Sequence, residues 1–280
     1  EWAMVYTINF FDVNTGMHKW ANMHWPTPEV EYIKPPILEY DGISVFTDEM
    51  CFDPIVDQVK SKYKIAWAFE SPVVKPHVYQ NISLVEHKFD KIYICNPDHN
   101  NPKHVQSYFG ACWVPESHCK IYEKTKLLSI VASNKNWAPG HQFRHVIIQS
   151  NPHPELELWG SGYRWFDDTP DGRVLPFKDY RYCIVVENCK YPGYFTDKII
   201  DCFATGVIPI YCGNPNMDRL FDSRGFYTFS TLPQLNEVLS KISIDDYNSK
   251  KSFILENYYR FKEYASPDMW MIRNCYNKLV

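Results

Sequence analysis

The sequence predicts an α/β protein made of two Rossmann-like domains facing across a cleft, and three observations carry that expectation. Short apolar runs recur along the chain, most of them continuous rather than alternating, as strands buried on both faces require. Helical spacings lie between these runs, which indicates parallel strands joined by crossover helices. One polar, weakly periodic stretch, residues 114–126 (VPESHCKIYEKTK), interrupts the alternation.

In chain order the strand candidates are residues 3–8, 43–47, 64–69, 91–95, 127–132, 157–159, 182–187, 207–212 and 226–229. Phe143, Val146 and Ile147 stand at i, i+3, i+4, and Leu235, Val238, Leu239 and Ile242 continue that spacing to i+7, so both groups predict helices. The expected division is an N-terminal α/β domain over 1–120, a C-terminal α/β domain over 121–265, and a terminal helix over 266–280 that folds back on the first. In such a fold a ligand lies between the domains, beyond the carboxyl ends of the strands.

Composition narrows the function classes. A net charge of −4 without a basic cluster argues against a nucleic-acid partner. No apolar stretch approaches the roughly 20 residues of a membrane span, and residues 1–11 lack the charge-then-apolar order of a signal peptide. The nine cysteines include no C-x-x-C pair, and several lie inside apolar runs, as Cys183 and Cys212 do. That pattern suits reduced, buried thiols. The expectation is a soluble, cytoplasmic chain without leader or anchor, in which the sequon Asn81-Ile82-Ser83 goes unused.

Three stretches carry candidate chemistry. The longest runs from Phe177 to Asn214. It reads as a buried strand ending at Glu187-Asn188, a Pro192-Gly193 turn, Tyr194, a helix capped by Thr196, and a second buried strand. The free amides of a helix start beside the Lys198 ammonium make a seat for a diphosphate, and Asp197 can accept from ribose hydroxyls. An ordinary capped helix with a solvated lysine would have the same residues. The second stretch, Ser133 to Arg144, opens a helix whose polar side carries His141, Arg144 and His145. Arg144 can hold two phosphate oxygens, whereas a His141–His145 metal pair has no third ligand nearby. The third is Trp67-Ala68-Phe69-Glu70-Ser71-Pro72, a strand ending in a carboxylate at a turn, with Trp67 and Phe69 expected in the core.

The first stretch resembles the signature of the family 10 glycosyltransferases, the α1,3/4-fucosyltransferases. It matches from Glu187-Asn188 through Gly193-Tyr194 and Thr196-Asp197-Lys198 to Gly206-Val207-Ile208-Pro209-Ile210, and departs at Asp197 and Cys189, where the family carries Glu and Ser. The resemblance implies the two-domain GT-B fold and an inverting transferase that moves fucose from GDP-fucose to a glycan hydroxyl. It implies that Asn188, Tyr194, Asp197 and Lys198 meet the nucleotide and diphosphate, with His141 and Arg144 both eligible for the phosphates. Glu70 then falls on the position of the general base, and Glu187 is expected beside the donor sugar. No D-x-D pair is present, so the expectation is no metal and no cofactor. The partners are a nucleotide-sugar donor and a glycan or glycoprotein acceptor.

Other readings stay open on the residues. The shorter Asp197 leaves a UDP-sugar donor such as UDP-xylose, and a non-catalytic carbohydrate-binding protein would share the fold. A glycosidase would pair Glu70 with Glu187 and need no nucleotide seat. A dehydrogenase is disfavoured because no G-x-G-x-x-G follows an early strand.

Overall fold

The computed structural model describes residues 5–13, 25, 29–108, 110–276 and 279. The chain divides into two compact units: Glu1–Phe109 with Ser266–Val280, and Gly110–Ala265. Each holds one parallel sheet, of six and of five strands.

The first unit runs β1 (Tyr6–Phe11), β2 (Val30–Ile33), β3 (Glu39–Thr47), a 3₁₀ turn (Asp48–Phe52), α1 (Ile55–Gln58), β4 (Lys60–Trp67), α2 (Pro76–Val85), β5 (Lys91–Ile94) and β6 (His104–Gln106). Its strand order is β2-β1-β3-β4-β5-β6. Phe46, Ala66 and Ile92 from the central strands pack with Val78 and Ile82 of α2 and with Phe89. Full burial of each large side chain among them contributes about 1.5–3 kcal/mol. Two strands escaped the sequence reading, β2 and β6. They are the sheet edges, four and three residues long, and edge strands need no continuous apolar run. The strand expected at 3–8 is described from Tyr6 and extends to Phe11; residues 3 and 4 lie outside the described residues.

The second unit runs β7 (Lys126–Val131), α3 (Pro139–Ser150), β8 (Leu156–Trp159), α4 (Pro170–Lys178), β9 (Tyr180–Val186), α5 (Asp197–Thr205), β10 (Ile208–Cys212), β11 (Tyr227–Thr228), α6 (Leu232–Leu239), α7 (Ile244–Ser249) and α8 (Lys251–Arg260). The order is β11-β10-β9-β7-β8. Every residue of β10 and nearly every residue of β9 is buried, which is why both read as unbroken apolar runs. From β7 the chain moves to β8 on one side, and from β9 to β10 on the other. The topological switch point therefore lies where β7 and β9 are neighbours, with α3 and α5 leaving their carboxyl ends.

The second unit begins at Gly110, not at the expected 121. A buried carboxylate explains the shift. Trp113 and Val114 donate their amides to Asp201 Oδ1 of α5 at 2.7 and 3.1 Å, and Cys112 N–H donates to Ala265 O at 2.8 Å. Polar spacing in the sequence does not reveal such a tether. The final segment carries α9 (Pro267–Met271), whose Trp270 packs by Trp67, Tyr93 and Tyr108 of the first unit. The expected helix end at 277, 278 and 280 lies outside the described residues. Among the described residues no helix is long and apolar enough to cross a membrane.

Candidate functional site

The carboxyl ends of β7 and β9 gather most of the residues singled out in the second unit. At the end of β9, Glu187 points inward with no exposed side-chain surface. Its Oε1 accepts from Thr196 N–H at 2.9 Å and its Oε2 from Thr196 Oγ1 at 2.8 Å. The Lys198 ammonium donates to Thr196 Oγ1 at 2.9 Å and lies 3.5 Å from Glu187 Oε2. The turn between them passes through Gly193, whose φ of +78° suits glycine and whose amide is held by Asn214 Oδ1. Thr196 thus caps α5 as expected, and a buried carboxylate behind it fixes both the cap and the lysine. Glu187, expected at the donor sugar, is fully buried, and its two oxygens accept from the Thr196 amide and hydroxyl with the Lys198 ammonium beside them.

α3 meets the same strand end at a glycine. A Cβ on Gly140 would stand 1.7 Å from Glu187 O, so only glycine allows this approach, and the Gly140 amide donates to Asn188 O at 2.9 Å. One turn on, the buried Arg144 donates through Nε to Val186 O and through Nη2 to Asn188 Oδ1, each at 3.0 Å. Burial pulls the guanidinium below its ordinary value, while Glu187, Asp197 and Tyr194 oppose that shift. An arginine stays charged in any case. Asn188 thereby orients Arg144, and Tyr194 is buried beneath the turn.

His141 Nδ1 accepts from Ala138 N–H at 3.3 Å, and its ring meets Trp137 edge to face. Burial, followed by the charges of Arg144, Lys135, Lys198 and His145, pushes the imidazole down to about 4. It is therefore neutral at pH 7, and its Nε2 carries the proton that Nδ1 lacks. His145 turns instead to Lys135 O at 2.9 Å. Among the described residues no group of three or more His, Cys, Asp or Glu could hold a metal ion.

Asp197 and Lys198 are each about a quarter exposed, 26% and 27%, and line a pocket with Val131, Phe166, Arg173 and Asp201. The last three were not singled out in the sequence. Phe166 sits in an irregular loop, and Arg173 in a helix of weak apolar pattern, its guanidinium over the Trp113 ring at 4.3 Å. Burial first, then the Asp197 charge, pushes Asp201 up to about 7 against its amide donors. Lys198 and Arg173 thus line one pocket with Asp197 and Asp201 at the start of α5.

In the first unit Glu70 stands in the turn after β4, half-buried. Its carbonyl accepts from Tyr79 Oη at 2.8 Å, and its amide and that of Phe69 donate to Asp48 Oδ1 at 3.3 and 2.9 Å. Trp67 is buried, with Phe69 edge-on at 5.0 Å. Asp48 gave no signal in the sequence, being a charged residue in a polar turn 22 positions before Glu70.

The family model for the C-terminal part of glycosyltransferase family 10 (fucosyltransferase) matches residues 121–277. The alpha-(1,3)-fucosyltransferase FucT of Helicobacter pylori is 32% identical over 119 residues, 42% of this chain and 24% of that protein's own length. An alpha1,3-fucosyltransferase crystallised with GDP-fucose is similar in fold, with a TM-score of 0.55 at 15% identity over 98% of this chain and 92% of that one. The structure of an alpha-glucosyltransferase in complex with UDP and a 13-mer DNA gives 0.59 at 8% identity over 98% of each chain. Both are glycosyltransferases of the GT-B fold. Since the family model alone spans more than half of the 280 residues, the chain belongs to glycosyltransferase family 10, the fucosyltransferases.

Proposed function

We propose that this protein transfers fucose from GDP-fucose to a glycan hydroxyl, with inversion and without a metal ion. The observation that carries the reading is that Arg144 and Lys198 both bear on the His141 imidazole beside the start of α5, in a chain of this family. The acceptor oxygen attacks the anomeric carbon on the face opposite the diphosphate. Glu70 takes the hydroxyl proton as the new C–O bond forms, and the bond to the diphosphate oxygen breaks with its electron pair going to that oxygen. Lys198, Arg144 and the Asp197 amide take up the charge that develops there, in place of a divalent cation. Neutral His141 offers a further donor, and Asp197 accepts from the ribose.

A second reading keeps the mechanism and changes the donor. Asp197 stands where the family signature carries glutamate and reaches one methylene less far, which favours a nucleotide seated closer, as in a UDP-sugar. Thermal unfolding with GDP, GDP-fucose, UDP and UDP-xylose discriminates. The nucleotide that is recognised stabilises by about 2.7 kcal/mol at a hundredfold excess over Kd. Stabilisation by UDP alone would replace the GDP reading, and loss of transfer in excess EDTA would end the metal-free one.

A further inference from the structure

We infer that Asp48 is a positioning residue for Glu70, its buried carboxylate pinning the turn that presents the base. This rests on the role given to Glu70 above. β3 and β4 are paired to their last residues, Thr47 beside Trp67, so the two turns leave adjacent strand ends. Asp48 opens the first turn and Glu70 lies in the second. Oδ1 of Asp48 takes the amides of both Phe69 and Glu70, and Tyr79 holds the Glu70 carbonyl. The Glu70 backbone is therefore fixed on both sides of its Cα.

The arrangement is costly to the fold in two independent ways. Asp48 has φ +40°, a left-handed conformation that side chains other than Asn and Asp seldom adopt. Its carboxylate is also buried, 6% exposed, beside two acidic neighbours. Glu49 and Glu70 add negative charge, Cys51 is an inert buried thiol, and the Lys75 ammonium, paired with Glu49, is also attracted to Asp48 and Glu70. Burial pushes the Asp48 carboxyl up to about 7, against the two amide bonds and with help from Glu70 and Glu49. Backbone strain and buried charge persist together where the surroundings over-determine them for function, and the group served here is Glu70.

The consequence for stability has a definite sign. An unfolded aspartate ionises at about 3.9. The folded protein keeps this proton up to about pH 7, so the contribution of Asp48 to stability falls as pH rises through that window. Asp48→Asn retains the acceptor oxygen and the tolerated backbone but removes the charge. The expected result is an equal or higher Tm at pH 8, unchanged GDP binding, and kcat lower by about 10- to 100-fold, the scale of a misplaced catalytic group. In the wild type, kcat steps up near pH 7 as Asp48 ionises and grips the turn more strongly; the variant lacks that step. The wild-type profile can be measured even if the variant does not fold. Glu70→Gln, assayed beside it, separates the outcomes. If Glu70→Gln abolishes transfer while Asp48→Asn keeps kcat within about twofold, or loses kcat and Tm together, Asp48 has only a structural role and the inference falls. A wild-type profile without the step near pH 7 also overturns it. If Glu70→Gln remains active, the assignment of the base fails first.

Discussion

The two ends of the proposed reaction are built differently. In the second unit the leaving-group seat rests on redundancy. Arg144 and Thr196 each hold their places through two internal bonds, the Lys198 ammonium through one to Thr196 and an ion pair with Glu187, which backs them from within the core. In the first unit the Glu70 backbone is held in its turn by the Asp48 carboxylate and the Tyr79 hydroxyl. Charge spread over several donors tolerates the loss of one, whereas proton abstraction has a single agent. The contrast predicts that damage to the first unit is confined to chemistry, and that damage to the second is graded and felt in binding.

The sharpest way to break that contrast is Glu70→Gln. Transfer should fall by about 10²- to 10⁴-fold, the worth of a general base, with nucleotide-induced thermal stabilisation retained; a parallel loss of binding would show that Glu70 also belongs to the seat. Lys198→Met comes next. Removing one charge-assisted donor costs about 1.5–3 kcal/mol, so GDP affinity measured by calorimetry should weaken by about 10- to 100-fold. An unchanged affinity would mean that the diphosphate lies elsewhere. The smallest effect concerns His141. Its folded imidazole titrates near 4, below the ordinary 6.5 or so, so the unfolded chain gains a proton first. Stability is lost as pH falls from about 6.5 to about 4. His141→Gln should flatten the Tm profile across that window, and a profile identical to wild type would show that the ring does not titrate as its surroundings require.

The same asymmetry governed what could be read from the residues alone. The seat lies on one continuous stretch, with strand, glycine turn, cap and lysine in fixed order, so that local chemistry made Thr196, Asp197 and Lys198 visible together. Arg144 and Asn188 were each legible, but not that one orients the other, because their bond spans 44 positions. The bond from Thr196 to Glu187 was hidden for the same reason, since only the fold puts that carboxylate under Thr196. Asp48 was invisible because its partners are backbone amides, which carry no sequence signature. Among the strands, β9 and β10 declared themselves by burial on both faces, while β2 and β6 at the rims of the first sheet had no such run.

Glu187 also bears on which anions the proposed seat would admit. Its carboxylate gives the Lys198 ammonium a resting partner at 3.5 Å, so any incoming anion has to draw that cation away from a competitor already in place. A singly charged intruder meets the carboxylate on even terms, whereas a diphosphate outweighs it. In the proposed reaction the residue would thereby set a threshold of charge, so that discrimination among anions begins before the sugar is felt at all.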